Sequence, residues 1–109
     1  MIQTETSVTK EQILAFLRKI KPALEKEGVE KLGLYGSYAK EKADTYSDID
    51  IVIKLKKAYL SNHDAWDYFN LIRQIKSKIS EKFSRKCDVL DLDSDSFIIN
   101  AVQNEILYV

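Results

Sequence analysis

The most constraining feature of this chain is a short stretch in which isoleucines alternate with aspartates. Residues 48–53 read Asp-Ile-Asp-Ile-Val-Ile. Successive side chains of a β-strand point to opposite faces, so this period of two predicts a strand that buries its isoleucines on one face. Asp48 and Asp50 then share the other face, with their Cα atoms about 6.5 Å apart at a rise of roughly 3.3 Å per residue. The fold must therefore cover one side of a sheet and hold two carboxylates on the other.

Two carboxylates held side by side repel each other unless a cation neutralises them or one is protonated. Oxygen-rich sites of this kind suit Mg²⁺ or Mn²⁺. Mg²⁺ commonly takes one or two carboxylates and leaves positions for substrate phosphates. Asp48 and Asp50 are therefore candidate metal ligands.

Gly36 and Ser37 supply a complementary feature upstream. They follow a predicted strand over Val29–Tyr35 and precede a predicted helical turn over Tyr38–Lys42. Free backbone N–H groups at such a turn attract anions, and glycine permits a close approach of the backbone. The Ser37 hydroxyl would add a hydrogen bond to a phosphate oxygen, and Lys40 and Lys42 would add positive charge.

Each of these two features alone is more typical of a simple turn or a solvated strand edge. Their coincidence in a strand–turn–helix–strand context favours a site that binds a phosphorylated substrate.

The remaining chain shows mainly helical periodicity. Thr9 and Gln12 have capping-box spacing, Pro22 predicts a kink or a restart, and Gly28 predicts the end of the first helix. A turn is expected over Asp44–Ser47. A long helix is expected to begin within Asn62–Asp64. Its predicted inner face consists of Trp66, Phe69, Ile72, Ile75, Ile79 and Phe83.

A third strand is predicted over Cys87–Leu92, and an extended tail over Ile106–Val109. Ser94 would cap a last helix between them. The predicted inner face of that helix consists of Phe97, Ile98, Ala101 and Val102. The order of elements predicts an α/β (α+β) fold, in which helices flank a small mixed β-sheet, and a single domain over residues 1–109.

Composition excludes several classes of protein. The 109 residues include 17 Lys and Arg against 17 Asp and Glu, which argues against a simple nucleic-acid binder. No apolar run approaches the roughly 18 residues of a membrane span, and residues 1–9 are polar. With a single cysteine, no internal disulfide can form. We expect a cytoplasmic protein that contacts neither membrane nor nucleic acid directly and that is able to form homo-oligomers.

Other reactive residues have simpler interpretations. His63 is expected at the surface or at a helix cap, and Cys87 is expected to be buried as a small apolar residue. Tyr38 and Tyr46 are interpreted as surface turn residues beside the candidate site. Trp66, Tyr68 and Phe69 are expected in the core or against a partner. The expected solvated end of the second strand contains Lys54, Lys56 and Lys57.

Gly36-Ser37, ten further residues and Asp48-Ile-Asp50 resemble the signature of minimal nucleotidyltransferases, in the polymerase-β-like superfamily. The resemblance extends over nearly the whole chain, including the closing Glu105-Ile-Leu-Tyr108. The family often has arginine where this chain has Lys40, and glycine where it has Ile106. The resemblance implies a mixed sheet flanked by helices.

The same resemblance implies that AMP passes from ATP to an acceptor hydroxyl. Two Mg²⁺ ions would bridge three carboxylates and the triphosphate, with Asp48 and Asp50 as ligands and Ser37 on the β- and γ-phosphates. Many family members are antitoxins that transfer AMP to a tyrosine of a HEPN-type ribonuclease toxin. Two alternatives stay open: inhibition of such a partner by contact alone, and transfer to a small molecule.

The third carboxylate has two candidates, Asp88 and Asp91. They lie three residues apart, so on a regular strand they face opposite sides and only one can join Asp48 and Asp50. The face to which each side chain points does not by itself distinguish Asp88 from Asp91. Asp88 lies near the start of its strand and matches the family pattern of one aspartate within an apolar run. We therefore predict Asp88 as metal ligand and catalytic residue.

Overall fold

The computed structural model describes residues 7–94 and 96–109. In that part of the chain, helices alternate with the strands of one sheet. The elements are α1 Lys10–Glu27, β1 Val29–Tyr35, α2 Gly36–Ala39, β2 Ile49–Leu55, α3 Lys57–Asn62, α4 Ala65–Phe83, β3 Cys87–Asp91, α5 Ser96–Val102, a 3₁₀ turn at Gln103–Glu105, and β4 Leu107–Tyr108.

The sheet is mixed, in the order β3-β2-β1-β4. β1 pairs antiparallel with both β2 and β4, whereas β2 and β3 run parallel. Parallel neighbours need a crossover connection, which α3 and α4 provide. The predicted class of a small mixed sheet flanked by helices is confirmed.

One face of this sheet forms the core. Leu34, Ile51 and Val89 lie in one row across β1, β2 and β3. The alternation in β2 therefore buries its isoleucines as predicted. The fully buried side chains that α1 contributes to the same core are Ile13, Leu17 and Leu24. The corresponding buried residues of α4 are Leu71, Ile75 and Ile79.

Both ends of α1 follow their sequence signals. The Thr9 side chain accepts a hydrogen bond from the backbone of Gln12, in a capping box, and Gly28 ends the helix with φ 116°. The helix is unbroken at Pro22, so the predicted restart is wrong. Leu17 and Leu24, on either side of Pro22, are fully buried, and this packing outweighs the hydrogen bond that proline removes.

Helix α4 has the predicted period but a different buried face. Asp64 caps it, while Asn62 belongs to the short helix α3, which sequence analysis missed. Trp66 and Phe69 are 71% and 58% exposed, so their assignment to the inner face is wrong. A helix of 19 residues is about 28 Å long, whereas the five-residue strand β3 spans about 16 Å, so part of the helix must extend past the strand.

Near the carboxyl end, the predicted inner face of α5 is wrong in part. Phe97 and Ile98 are 83% and 42% exposed, and α5 contacts the 3₁₀ turn. Residue 95 lies outside the described residues, and the predicted cap by Ser94 stays a prediction. The predicted extended tail is confirmed as β4. No helix in residues 7–94 and 96–109 combines the length and the apolar character needed to cross a membrane.

Candidate functional site

The face of the sheet opposite the isoleucines carries a row of polar side chains. Tyr35 of β1, Asp50 of β2 and Asp88 of β3 are register partners. Asp48 lies in the loop one residue before β2 begins, and its charge acts on Asp50. The structure therefore places Asp88 beside Asp50 and Asp48 within electrostatic reach of Asp50.

Asp91 lies on the other face, opposite Ile53 in the register of β2 and β3. Its Oδ2 accepts a hydrogen bond of 2.8 Å from the Tyr68 hydroxyl, and its Oδ1 accepts one of 2.9 Å from the backbone N–H of Asp93. Asp91 thus anchors α4 and the turn after β3. Of the two candidates for the third carboxylate, the one beside Asp50 is Asp88.

The row of carboxylates concentrates negative charge in a partly buried place. Burial, followed by the charges of Asp88 and Asp48, raises the pKa of Asp50 to about 6. Burial and then the charges of Asp50 and Asp88 also raise the pKa of the Tyr35 hydroxyl. Because the anions destabilise one another, a cation or a proton at this place is favoured.

Gly36 lies directly beside this row. Its φ is 78°, which favours glycine, and a Cβ atom built on it would overlap Oδ2 of Asp50. The helical turn begins at Gly36 rather than at Tyr38, and it is closed by a 2.9 Å hydrogen bond from the N–H of Lys42 to the carbonyl of Ser37. A side chain at position 36 would push the backbone away from Asp50.

The two lysines after this turn are not equally placed. Lys40 forms an ion pair of 3.1 Å with Glu105 in the 3₁₀ turn. Lys42 is exposed. For Lys40 to meet an anion at α2, it would have to leave Glu105, a partner that sequence analysis did not foresee.

The loop between α2 and β2 contains a hydrogen-bonded turn just before Asp48. Asp44 Oδ1 accepts a 2.9 Å hydrogen bond from the N–H of Tyr46, and the N–H of Ser47 donates to the Asp44 carbonyl at 3.1 Å. This confirms the predicted turn. Tyr46 is 91% exposed as predicted, but Tyr38 is only 4% exposed because α2 packs it into the core, so its interpretation as a surface residue is wrong.

Other interpretations of reactive side chains are confirmed. Cys87 is buried, and burial and the charge of Asp88 raise its pKa to about 12, so the thiol stays neutral. His63 is exposed and stacks on Tyr59 with ring centroids 3.9 Å apart. At the predicted solvated end of β2, Lys56 and Lys57 are exposed, whereas Lys54 is partly buried and pairs with Asp93 at 3.0 Å.

In this structure the carboxylates do not form a complete metal-binding site. Within the described ranges, no three His, Cys, Asp or Glu side chains converge closely enough to hold an ion. The donor set nevertheless fits Mg²⁺, because it consists of carboxylate oxygens on adjacent strands.

Comparison with known proteins identifies the family. Residues 18–109 match the family model for polymerase β nucleotidyltransferases. This chain belongs to that nucleotidyltransferase family. A protein of Methanocaldococcus jannaschii, named as a candidate protein adenylyltransferase, is 32% identical to this nucleotidyltransferase over 77 residues, which cover 71% of this chain and 74% of the relative.

Solved structures agree on the fold of this nucleotidyltransferase. A structure described as a candidate minimal nucleotidyltransferase has a TM-score of 0.69 at 15% identity, over 94% of this chain and 98% of that one. A chain of the complex between tri-AMPylated Shewanella oneidensis HEPN toxin and MNT antitoxin has a TM-score of 0.55 at 18% identity, over 88% and 70% of the two chains. These similarities confirm the minimal nucleotidyltransferase fold that the sequence resemblance implied.

Proposed function

We propose that this nucleotidyltransferase transfers AMP from ATP to a tyrosine hydroxyl of a HEPN-type toxin and thereby acts as its antitoxin. The observation that carries the proposal is the pairing of Asp50 with Asp88 across β2 and β3, with the charge of Asp48 acting on Asp50 and Gly36 lying against its carboxylate. The relative named as a candidate protein adenylyltransferase and the fold shared with a toxin–antitoxin complex support this choice of acceptor.

The proposed reaction is an in-line displacement at the α-phosphorus of ATP. The tyrosine oxygen forms a bond to that phosphorus, the bond to the β-phosphate oxygen breaks, and pyrophosphate leaves. Asp88 takes the proton of the attacking hydroxyl, since it lies at the edge of the carboxylate row. Asp48 and Asp50 would hold one or two Mg²⁺ ions, or Mn²⁺, which neutralise the triphosphate and activate the hydroxyl.

Residues of the α2 turn would bind the leaving pyrophosphate. The Gly36 backbone can approach the phosphates because no side chain intervenes, and the Ser37 hydroxyl would donate to a β- or γ-phosphate oxygen. Lys42 is free to reach solvent-exposed oxygens, whereas Lys40 would exchange Glu105 for phosphate. Proximity of these donors to the carboxylate row would hold ATP for attack.

The test incubates this chain with a HEPN-type toxin, ATP and Mg²⁺. Mass spectrometry should show the toxin gaining mass in units of AMP on a tyrosine. The double variant Asp48→Asn/Asp50→Asn should abolish the gain and also the thermal stabilisation that ATP and Mg²⁺ produce together, because the metal ligands are lost. Glu30→Gln, an exposed carboxylate at the far end of β1, is the matched control and should behave as wild type.

Two outcomes would contradict this function. If the double variant inhibits the toxin as well as wild type and neither protein adds mass, the chain acts by contact alone. If wild type adenylylates a small molecule but leaves the toxin unmodified, the acceptor proposed here is wrong.

A further inference from the structure

A concave surface lies on the helical side of the molecule, apart from the carboxylate row. It is a groove of about 1010 Å³ between the beginning of α1 and the end of α4. Its apolar part is formed by Val8, Ala15, Phe16 and Phe83. Phe16 and Phe83 are only partly buried against the core, so they leave apolar surface within reach of a ligand.

The rim of this groove is basic. Lys19, Lys82 and Arg85 line it, and its described lining contains no aspartate or glutamate. This local excess of positive charge stands out in a chain whose formal net charge is zero. An apolar groove with a cationic rim is complementary to a ligand that joins carboxylates to an apolar group.

Arg85 is the most firmly held of these cations. Its Nη1 donates to the carbonyls of Phe83 and Ser84, at 3.5 and 3.1 Å. Its Nε is covered by the protein and has no hydrogen-bond partner among the described residues. Because Nε is covered, a carboxylate in the groove would reach Arg85 through the part of its side chain that remains exposed, since the residue is only partly buried.

The groove continues toward the candidate site. A smaller groove of about 160 Å³ shares Val8, Thr45 and Arg85 with it and extends to Tyr38. Tyr38 belongs to α2, the helical turn that begins at Gly36. A chain lying in the larger groove would therefore continue toward the loop that precedes Asp48.

We propose that this groove, defined by Phe16, Phe83, Lys19, Lys82 and Arg85, docks an acidic segment of a partner polypeptide. An apolar side chain of the segment packs on the two phenylalanines, and its carboxylates pair with the three cations. Docking of the segment does not require catalysis. Docking would also direct an acceptor tyrosine of the partner toward Asp88, and this role alone rests on the proposed function.

The geometry of the aromatic pair disfavours RNA as the occupant. The rings of Phe16 and Phe83 meet edge to face, with centroids 5.6 Å apart and an interplanar angle of 88°. Lys82 Nζ lies 5.8 Å from the centroid of Phe16, over its face. Nucleobases bind by stacking on open ring faces, whereas a leucine or phenylalanine side chain can pack against ring edges.

The test is an NMR titration of the full chain with the peptide acetyl-Glu-Glu-Leu-Phe-Glu-Glu-amide. Amide shifts should change at Phe16, Lys19 and Phe83. Lys19→Glu/Lys82→Glu should weaken binding about tenfold, since two attractions become repulsions. The control Arg18→Glu/Lys78→Glu makes the same charge change on the same helices outside the groove and should bind within about twofold of wild type. If the reversed variant is misfolded by its spectrum, Lys19→Gln/Lys82→Gln replaces it, with a smaller loss expected.

Further arms separate the alternatives. The proposal would be overturned if a peptide with lysines in place of the glutamates bound equally well, or if amide shifts were confined to other surfaces. It would also be overturned if both double variants lost the same amount of peptide affinity. A short uridine-rich RNA that shifts the same amides at lower concentration would overturn it as well. Asp48→Asn/Asp50→Asn should bind the peptide like wild type, so loss of transfer and loss of docking are distinguishable.

Discussion

The two faces of strand β2 have opposite physical roles. Ile51 is fully buried between Leu34 and Val89 under α1 and α4. Asp50, the preceding residue, lies between Tyr35 and Asp88 on the other face, and its pKa is raised by burial and by neighbouring carboxylates. Burial of the isoleucine face lowers the free energy of the folded state, whereas repulsion between the neighbouring carboxylates on the other face raises it.

This difference shows how a small domain can hold unfavourable charges at fixed positions. The packed isoleucines hold the backbone of the strand in place, so Asp50 stays at the register position beside Asp88 despite the repulsion between their charges. The strain is then available for a cation or a phosphorylated substrate to relieve. Stability and the candidate site are thus linked through a single strand.

The strongest test of this comparison uses the two aspartates of β3. In the proposed reaction, Asp88→Asn should reduce AMP transfer by at least about a hundredfold, because it removes the carboxylate proposed to accept the proton, with nucleotide binding largely kept. Asp91→Asn should leave transfer nearly unchanged, since asparagine can still accept from Tyr68 on the other face. Single-turnover transfer rates and ATP titrations measure both. Reversed results would assign the third carboxylate to Asp91, and wild-type rates in both would remove it from the mechanism.

A smaller effect is expected at the α2 turn. Gly36→Val should weaken ATP binding about tenfold or more, because its side chain would meet Asp50 and its φ of 78° disfavours valine. Ser37→Ala removes only a hydroxyl and should weaken binding about threefold. Isothermal titration with ATP and Mg²⁺ distinguishes the two variants. Undiminished affinity in Gly36→Val would show that the turn does not bind the phosphates.

The smallest effect concerns stability and pH in metal-free solution. The pKa of Asp50 is raised from 3.8 to about 6 on folding, so the folded state binds more protons and its stability falls as pH rises between these values. Asp50→Asn does not titrate and should be more stable than wild type above pH 6, by about 1 kcal/mol after solvent screening. Below pH 4 this difference should disappear.

The matched control for this experiment is the adjacent residue on the core face. Ile51→Ala should destabilise by about 2–5 kcal/mol at every pH, because it leaves a cavity and no titrating group. Urea unfolding at several pH values measures both variants. A pH-independent effect of Asp50→Asn would remove carboxylate repulsion as its cause.

Local chemistry made much of the fold predictable. Three features depend only on residues a few positions apart in the sequence. They are the capping box at Thr9, the glycine end of α1 and the alternation in β2. Gly36 is a similar case. Its lack of a side chain predicts that another group lies close to its backbone, but it does not predict that this group is the Asp50 carboxylate. The wrong predictions at Trp66, Phe69, Phe97, Ile98 and Tyr38 concern which residues another element covers. The wrong prediction of a restart at Pro22 has the same origin, because packing of the helix on the core decides it.

By itself, then, the sequence determined where most strands and helices form and which face of β2 is apolar. Only the tertiary structure decided that Asp88 rather than Asp91 lies beside Asp50, that Lys40 pairs with Glu105, and that Phe16 and Phe83 meet in a basic groove. Periodicity fixes the direction of a side chain relative to its own backbone. Strand register and helix placement, which join residues distant in sequence, depend on how the whole core packs.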